Sequence, residues 1–170
     1  MSKFQQSDFS YIADLAQLIS SNDAQLMEKM DGMLSDSAKY FEENAERYGE
    51  RFLDVKQTDT DTLIWIGLVD ELSEHGYLYS VDWKCEAQDL KWALSQLKSG
   101  NVIPDISEIG LDENSDVVKW GEIINSKLPG HCICWVDIDS DSYELIIVTN
   151  EAYDKISKTA ENNGHRIVKF

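Results

Sequence analysis

The chain has 170 residues, 15 Lys and Arg against 32 Asp and Glu, and a formal net charge of -17. Only 2 Pro and 9 Gly exclude a collagen-like or low-complexity chain, and 10% aromatics with 5 Trp argue against a disordered acidic tail. So negative a chain disfavours direct nucleic-acid binding, because phosphates are repelled rather than neutralised.

At this length one domain is expected over 1–170, with a helical portion over 1–58 and a sheet-containing core over 59–170. In the helical portion, Ser7 or Asp8 can cap a helix whose apolar positions Phe9, Ile12, Leu15, Ala16 and Ile19 recur at three-and-four spacing. Ser20–Asp23 reads as a break and a new cap. A second helical run follows through Tyr48, split near Gly32 or Ser35–Ser37, with Gly49 as its end. After the polar linker 57–62, a helix over about Asp61–His75 is apolar around most of its circumference and should be largely buried. Gly76 stops it.

Tyr77–Trp83 alternates with a strand period, setting Tyr77, Tyr79, Val81 and Trp83 on one face. Helices are expected at Glu86–Lys98 and Val117–Leu128, separated by an irregular acidic stretch. His131–Ile138 and Tyr143–Thr149 read as a hairpin across a turn of Asp and Ser. Asn150 caps a last helix, and His165–Phe170 is a final strand. The expected fold is α+β: helices packed on one mostly antiparallel sheet of about four strands, after a helical N-terminal portion.

The N-terminus has no apolar run of signal-peptide length, and the longest apolar stretch, Leu63–Val69, is far short of the roughly 20 residues a membrane span needs. Three cysteines, Cys85, Cys132 and Cys134, are an odd and sparse set for a secreted disulfide scaffold. A cytoplasmic, reduced protein is expected.

Asp137-Ile138-Asp139-Ser140-Asp141 has the spacing of a calcium loop. It lacks the glycine at the sixth position and the acid at the twelfth, so a structural turn is the reading. Cys132 and Cys134, two apart on a strand, share a face and could join Cys85 and His131 around zinc, but a lone C-x-C reads as core packing. His75, His131 and His165 fall in no catalytic or metal pattern. Trp92 lies off the Leu90–Leu94–Leu97 stripe of its helix, which suits an interface anchor. No cofactor or metal is expected.

The acids carry the functional argument. The excess is -5 over residues 1–58, -5 over 59–100 and -7 over 101–170, so it is global. Asp105, Glu108, Asp112, Glu113 and Asp116 fall in one stretch containing no base, and the hairpin turn adds Asp139 and Asp141. Solubility is the plain explanation; a docking surface for a basic protein is the sharper one.

The block Leu63–Leu72, then Gly76-Tyr77, Asp82-Trp83-Lys84 and Leu90–Leu94, resembles a small bacterial family classed as a domain of unknown function. That resemblance spans about a third of the chain, implies no reaction, and leaves the first 58 residues without a counterpart. In size, acidity and lack of catalytic motifs the chain also resembles, by type, the immunity proteins of contact-dependent inhibition and other polymorphic toxin systems. That likeness implies a non-enzyme that plugs a basic toxin domain, a nuclease foremost, through Asp105, Glu108, Asp112, Glu113, Asp116, Asp139 and Asp141. A regulatory or scaffold module for another basic partner is the alternative, and a small enzyme using Cys85 or Cys132 with a histidine is the third reading.

Overall fold

The computed structural model describes residues 8–170. Ser7, one of the two candidate caps, lies outside them. The N-cap of the first helix α1 (Ser10–Ser20) is Phe9, whose side chain cannot cap; Asp8, the other candidate, lies one residue earlier and accepts the Ser10 N–H at 2.9 Å, and the helix buries Ile12, Leu15, Ala16 and Ile19. Left-handed Ser21 and Asn22 turn the chain into α2 (Ala24–Ser35).

Asp23 caps α2 through the N–H groups of Gln25 and Leu26, accepts the Tyr77 hydroxyl at 2.7 Å and lies 3.4 Å from Lys98 Nζ. The Tyr77 hydrogen bond first, then the Leu26 N–H and Lys98, lower its pKa to about 2. A depressed carboxylate stabilises the fold above its unfolded pKa near 4, and that contribution is lost as pH falls towards 2. Asn still caps a helix. Asp23→Asn should therefore melt below the parent at neutral pH, and thermal melts should show the gap closing near pH 2.

The second helical run breaks at Asp36, which caps α3 (Ser37–Glu43), and again at Asn44 before α4 (Ala45–Glu50). Gly49 lies inside α4 rather than ending it. The left-handed stop falls on Phe52 (φ 60), letting the Leu53 N–H reach the Tyr48 carbonyl at 3.0 Å. Phe52 is 98% exposed and so packs almost no apolar surface in the fold. Left-handed backbone costs a non-glycine residue roughly 1–2 kcal/mol, and the extra unfolded-state entropy of glycine returns about 0.5–1 kcal/mol of any gain. Phe52→Gly should raise the unfolding free energy by about 0.5–1 kcal/mol, measured by urea titration.

Helix α5 (Thr60–Glu74) starts at Asp59 and buries every residue from Leu63 to Leu72. That burial is what its all-round apolarity predicts. Gly76 (φ 81) turns the chain into β1 (Tyr79–Asp82). Then come α6 (Ala87–Gln96), two short 3-10 turns (Gly100–Val102 and Ile106–Glu108), α7 (Val117–Asn125), β2 (His131–Val136), β3 (Ser142–Thr149), α8 (Asn150–Asn162) and β4 (Ile167–Lys169). The N-cap of α8 is Thr149, which accepts the Ala152 N–H, so Asn150 is its first helical residue.

The four strands form one sheet, ordered β1-β3-β2-β4, with every pair antiparallel. The fold is α+β, as expected. Its sheet is covered on both faces. Cys132, Cys134, Val136, Ile146 and Val148 face a core built with α1, α2, α5 and α8. Val81, Ile133, Leu145 and Ile147 face a second core with α6 and α7. The N-terminal helices thus share the first core with α5 and the sheet, and two cysteines are packing residues inside it. Among the described residues no helix is long and apolar enough to cross a membrane.

Candidate functional site

A cleft of about 840 Å³ opens where β1 runs into α6. One wall is Trp83, Lys84, Cys85, Glu86, Ala87, Gln88 and Lys91; the other is Ser107–Leu111 with Glu113–Asp116, and Trp120 of α7 also lines it. Local chemistry holds both walls. Glu86 and Asp89 form a reciprocal capping box that starts α6. Asp116 caps α7 by accepting the Lys119 N–H at 2.9 Å. The Trp120 indole donates to the Asp112 carbonyl at 2.7 Å, and Lys91 Nζ donates to the Ser107 carbonyl at 3.2 Å. The irregular acidic stretch is thereby pinned to both helices.

Four carboxylates line the cleft, Glu86, Glu108, Glu113 and Asp116, against the two ammonium groups of Lys84 and Lys91. Lys84 Nζ lies 4.9 Å over the Trp83 ring, which is 53% exposed. An exposed indole beside surplus carboxylates suits a cation on a planar or long side chain.

The seven acids singled out from the sequence divide by position. Glu108, Glu113 and Asp116 line the cleft. Asp112 is on the same loop, but its carboxylate holds the Asn114 N–H, and Asp105 is a left-handed residue that opens a 3-10 turn. Neither lines the cleft. Asp139 and Asp141 are on the hairpin turn, and the Asp141 carbonyl accepts the Trp83 N–H at 3.0 Å. The turn therefore abuts the cleft rim at Trp83. Sequence reasoning missed Glu86 and the role of Trp83; the available signal was a tryptophan with a lysine next to it immediately after a strand.

Cys85 borders the cleft, but burial first, then Asp89 and Asp82, push its thiol up to about 11. That direction is opposite to the thiolate a nucleophile needs. No histidine lines the cleft. Cys132 and Cys134 are fully buried, and burial drives the Cys134 thiol well above its ordinary range. On the hairpin, Asp137 holds the Asp139 N–H and pairs with Arg166. It acts as a turn residue.

A second polar cluster lies inside the helical side. Arg47 reaches Asp70 at 3.3 Å, Glu71 at 3.0 Å and Glu74 at 3.1 Å; Arg51 holds Asp70 at 2.7 Å, and Tyr40 donates to Glu71 at 2.6 Å. Desolvation outweighs the arginines and raises the pKa of Asp70, with nearby Glu144 adding to it. This cluster ties α3 and α4 to α5 through its own ion pairs, although Arg47 Nε, Asp70 Oδ2 and Glu71 Oε2 are buried without a hydrogen bond among the described residues.

The sequence model of a domain of unknown function, DUF6630, matches residues 12–170. The chain belongs to this family. No curated protein and no solved structure matches the chain. The match begins two residues into α1 and takes in α2 to α4, so the helical portion, for which the resemblance of residues 63–94 offered no counterpart, is part of the DUF6630 domain. In this DUF6630 member the block that carried the resemblance divides into two jobs. Gly67, Asp70 and Glu71 seat α5 against its neighbours, whereas Trp83, Lys84 and Trp92 stand at the surface around the cleft and β1.

Proposed function

We propose that the protein is a non-catalytic immunity protein of the cytoplasm, which neutralises a cognate nuclease-toxin domain by receiving a basic segment of it in the acid-walled cleft. The observation that carries this reading is the meeting of Glu86, Glu108, Glu113 and Asp116 with the half-exposed Trp83 in one cavity. A nuclease grips phosphates with cationic side chains. Carboxylates set on a rigid rim can occupy those cations in place of phosphate. Trp83 supplies the aromatic anchor that interface energetics favour, and the global charge of -17 steers a basic partner towards the rim.

The test is co-expression and co-purification with the products of the genes beside its own, among which this reading expects a toxin domain. A stable complex and protection of the host are expected. Glu108→Lys with Glu113→Lys leaves every helix cap intact and should slow association about tenfold or more, with a weaker dependence on salt. A complex with a basic partner that is not a toxin would move the reading to a regulatory module. No complex, or one indifferent to both substitutions, would end the cleft assignment.

A further inference from the structure

We infer that the free edge of β1 is a strand-addition site, where an extended basic segment of the partner protein pairs with the sheet before its end enters the cleft. This inference rests on the reading of the cleft as the seat of a basic partner.

The geometry begins with register. β1 has β3 on one side and is the outer strand of the sheet on the other. The Trp83 N–H bonds the Asp141 carbonyl, and Val81 and Tyr79 face Tyr143 and Leu145. Bonded pairs alternate in an antiparallel ladder, so Tyr79, Val81 and Trp83 turn their backbone groups to β3, and Ser80 and Asp82 turn theirs outward. The Asp82 carbonyl is taken by the Cys85 N–H. Among the described residues nothing takes the Asp82 N–H or either backbone group of Ser80, which point off the edge. Ser80 is exposed even though its hydroxyl is turned in to Glu144, a carboxylate only 1% exposed.

Proteins blunt free edges with lysine, proline, bulges or covering elements. The opposite edge, β4, is treated that way: it is three residues long, ends on Lys169, and the Lys169 N–H is taken by the Tyr153 hydroxyl. β1, Tyr-Ser-Val-Asp, is one residue longer and carries neither lysine nor proline; its one charge, the exposed Asp82, repels another acidic chain but attracts a basic one. Beside it Trp92 of α6 stands 55% exposed with its ring centroid 5.3 Å from Tyr79 and edge-on to it. An incoming strand lies about 4.8 Å from β1 and would lay alternate side chains on this aromatic shelf. Trp83 follows β1 directly and borders the cleft, so a chain running along the edge continues into the carboxylates.

Charge selects the occupant. A second copy of this chain would bring another -17 to the edge, whereas a basic segment meets Asp82 at the edge and then four carboxylates against two lysines in the cleft. Strand addition draws affinity from main-chain hydrogen bonds, with side-chain contacts adding selectivity.

The test uses two synthetic peptides of about ten residues with the same sequence, Lys alternating with Val and Thr, and equal charge; one has free backbone amides and the other is N-methylated at every backbone nitrogen. The unmethylated peptide should bind the full-length protein about tenfold tighter or more, since only it offers main-chain donors. Ser80→Pro, which removes the outward N–H, should abolish that advantage; Ser80→Ala, which removes only the hydroxyl, should keep it. Equal affinity of the two peptides, with both lost in the Glu108→Lys, Glu113→Lys protein, would overturn strand addition and leave the cleft reading standing. Failure of both peptides to bind the parent would overturn both. A dimer that dissociates on Ser80→Pro would overturn the proposal in favour of self-pairing. Should Ser80→Pro fail to fold by circular dichroism, the peptide pair decides alone.

Discussion

Replacing Arg47 with Met is expected to lower the unfolding free energy by about 3–5 kcal/mol, the usual cost of stripping a buried carboxylate of its partner. Arg47 is the only cation in contact with both Asp70 and Glu71 among the described residues, and those acids are 5% and 2% exposed. Arg51 still holds Asp70 in the variant, but Glu71 is left with the Tyr40 hydroxyl, an uncharged donor, and His75 at 3.8 Å. Glu74→Ala is the control. It removes the third carboxylate of the same fork, but that side chain is 59% exposed, so its loss should cost no more than about 1 kcal/mol. Urea unfolding of the two variants checks the contrast. A loss below about 1 kcal/mol for Arg47→Met would mean that the carboxylates are not dependent on this fork.

Gly67→Ala is expected to destabilise the fold by about 2–3 kcal/mol, although alanine is about 1 kcal/mol the better helix former. A methyl group there would stand 2.6 Å from Met33 Sδ, 2.9 Å from Tyr48 Oη and 3.3 Å from Tyr40 Cε1. Met33 can adapt, since thioether chains refill gaps readily. Tyr48 has less freedom: it is fully buried, and its hydroxyl donates to the Leu63 carbonyl at 2.7 Å, a bond that helps fasten α4 to α5. Pushing the ring away adds an unsatisfied buried hydroxyl, about 1–3 kcal/mol, to the overpacking cost of about 1–3 kcal/mol. Gly32→Ala is the matched control, because nothing lies within 4 Å of its added methyl. It should be neutral or stabilising. Thermal and urea melts of the pair separate crowding from propensity.

These effects explain what the sequence made legible. Helices with a one-sided apolar stripe, such as α1 and α6, could be placed to within a few residues from the period of the stripe. α5 was recognisable as buried, yet nothing in its spacing shows that Gly67 makes room for Tyr48 or that Asp70 and Glu71 meet Arg51 and Arg47 from another helix. Those are pairings across sequence separations of 19 to 24 residues. The sheet order was equally hidden: β3 pairs with β1 over a long separation, and its buried run Glu144–Val148 lacks a polar face because helices cover both sides. The stop on Phe52 escaped because glycine is the residue expected at a left-handed position, and Gly49 stood three residues away.

The acid-rich stretch was legible as charge but not as shape. Five acids between 105 and 116 looked equivalent in sequence. In the fold Asp112 and Asp116 spend hydrogen-bonding capacity on the Asn114 and Lys119 N–H groups, and Glu108 and Glu113 are the acids best free to meet a partner. Glu86 joins them only because the capping box starts α6 at the cleft wall. Trp83 became meaningful through its backbone bond to Asp141, which brings hairpin and cleft rim together.

The central claim, that the cleft at the β1–α6 junction receives a basic partner, is tested most directly by amide hydrogen exchange on the complex with that partner. Slowed exchange concentrated in residues 82–91 and 107–116, with the hairpin turn at 139–141 joining them, is the predicted footprint. A footprint confined to the helical side around Arg47 and Glu71, with the cleft amides exchanging as in the free protein, would contradict it.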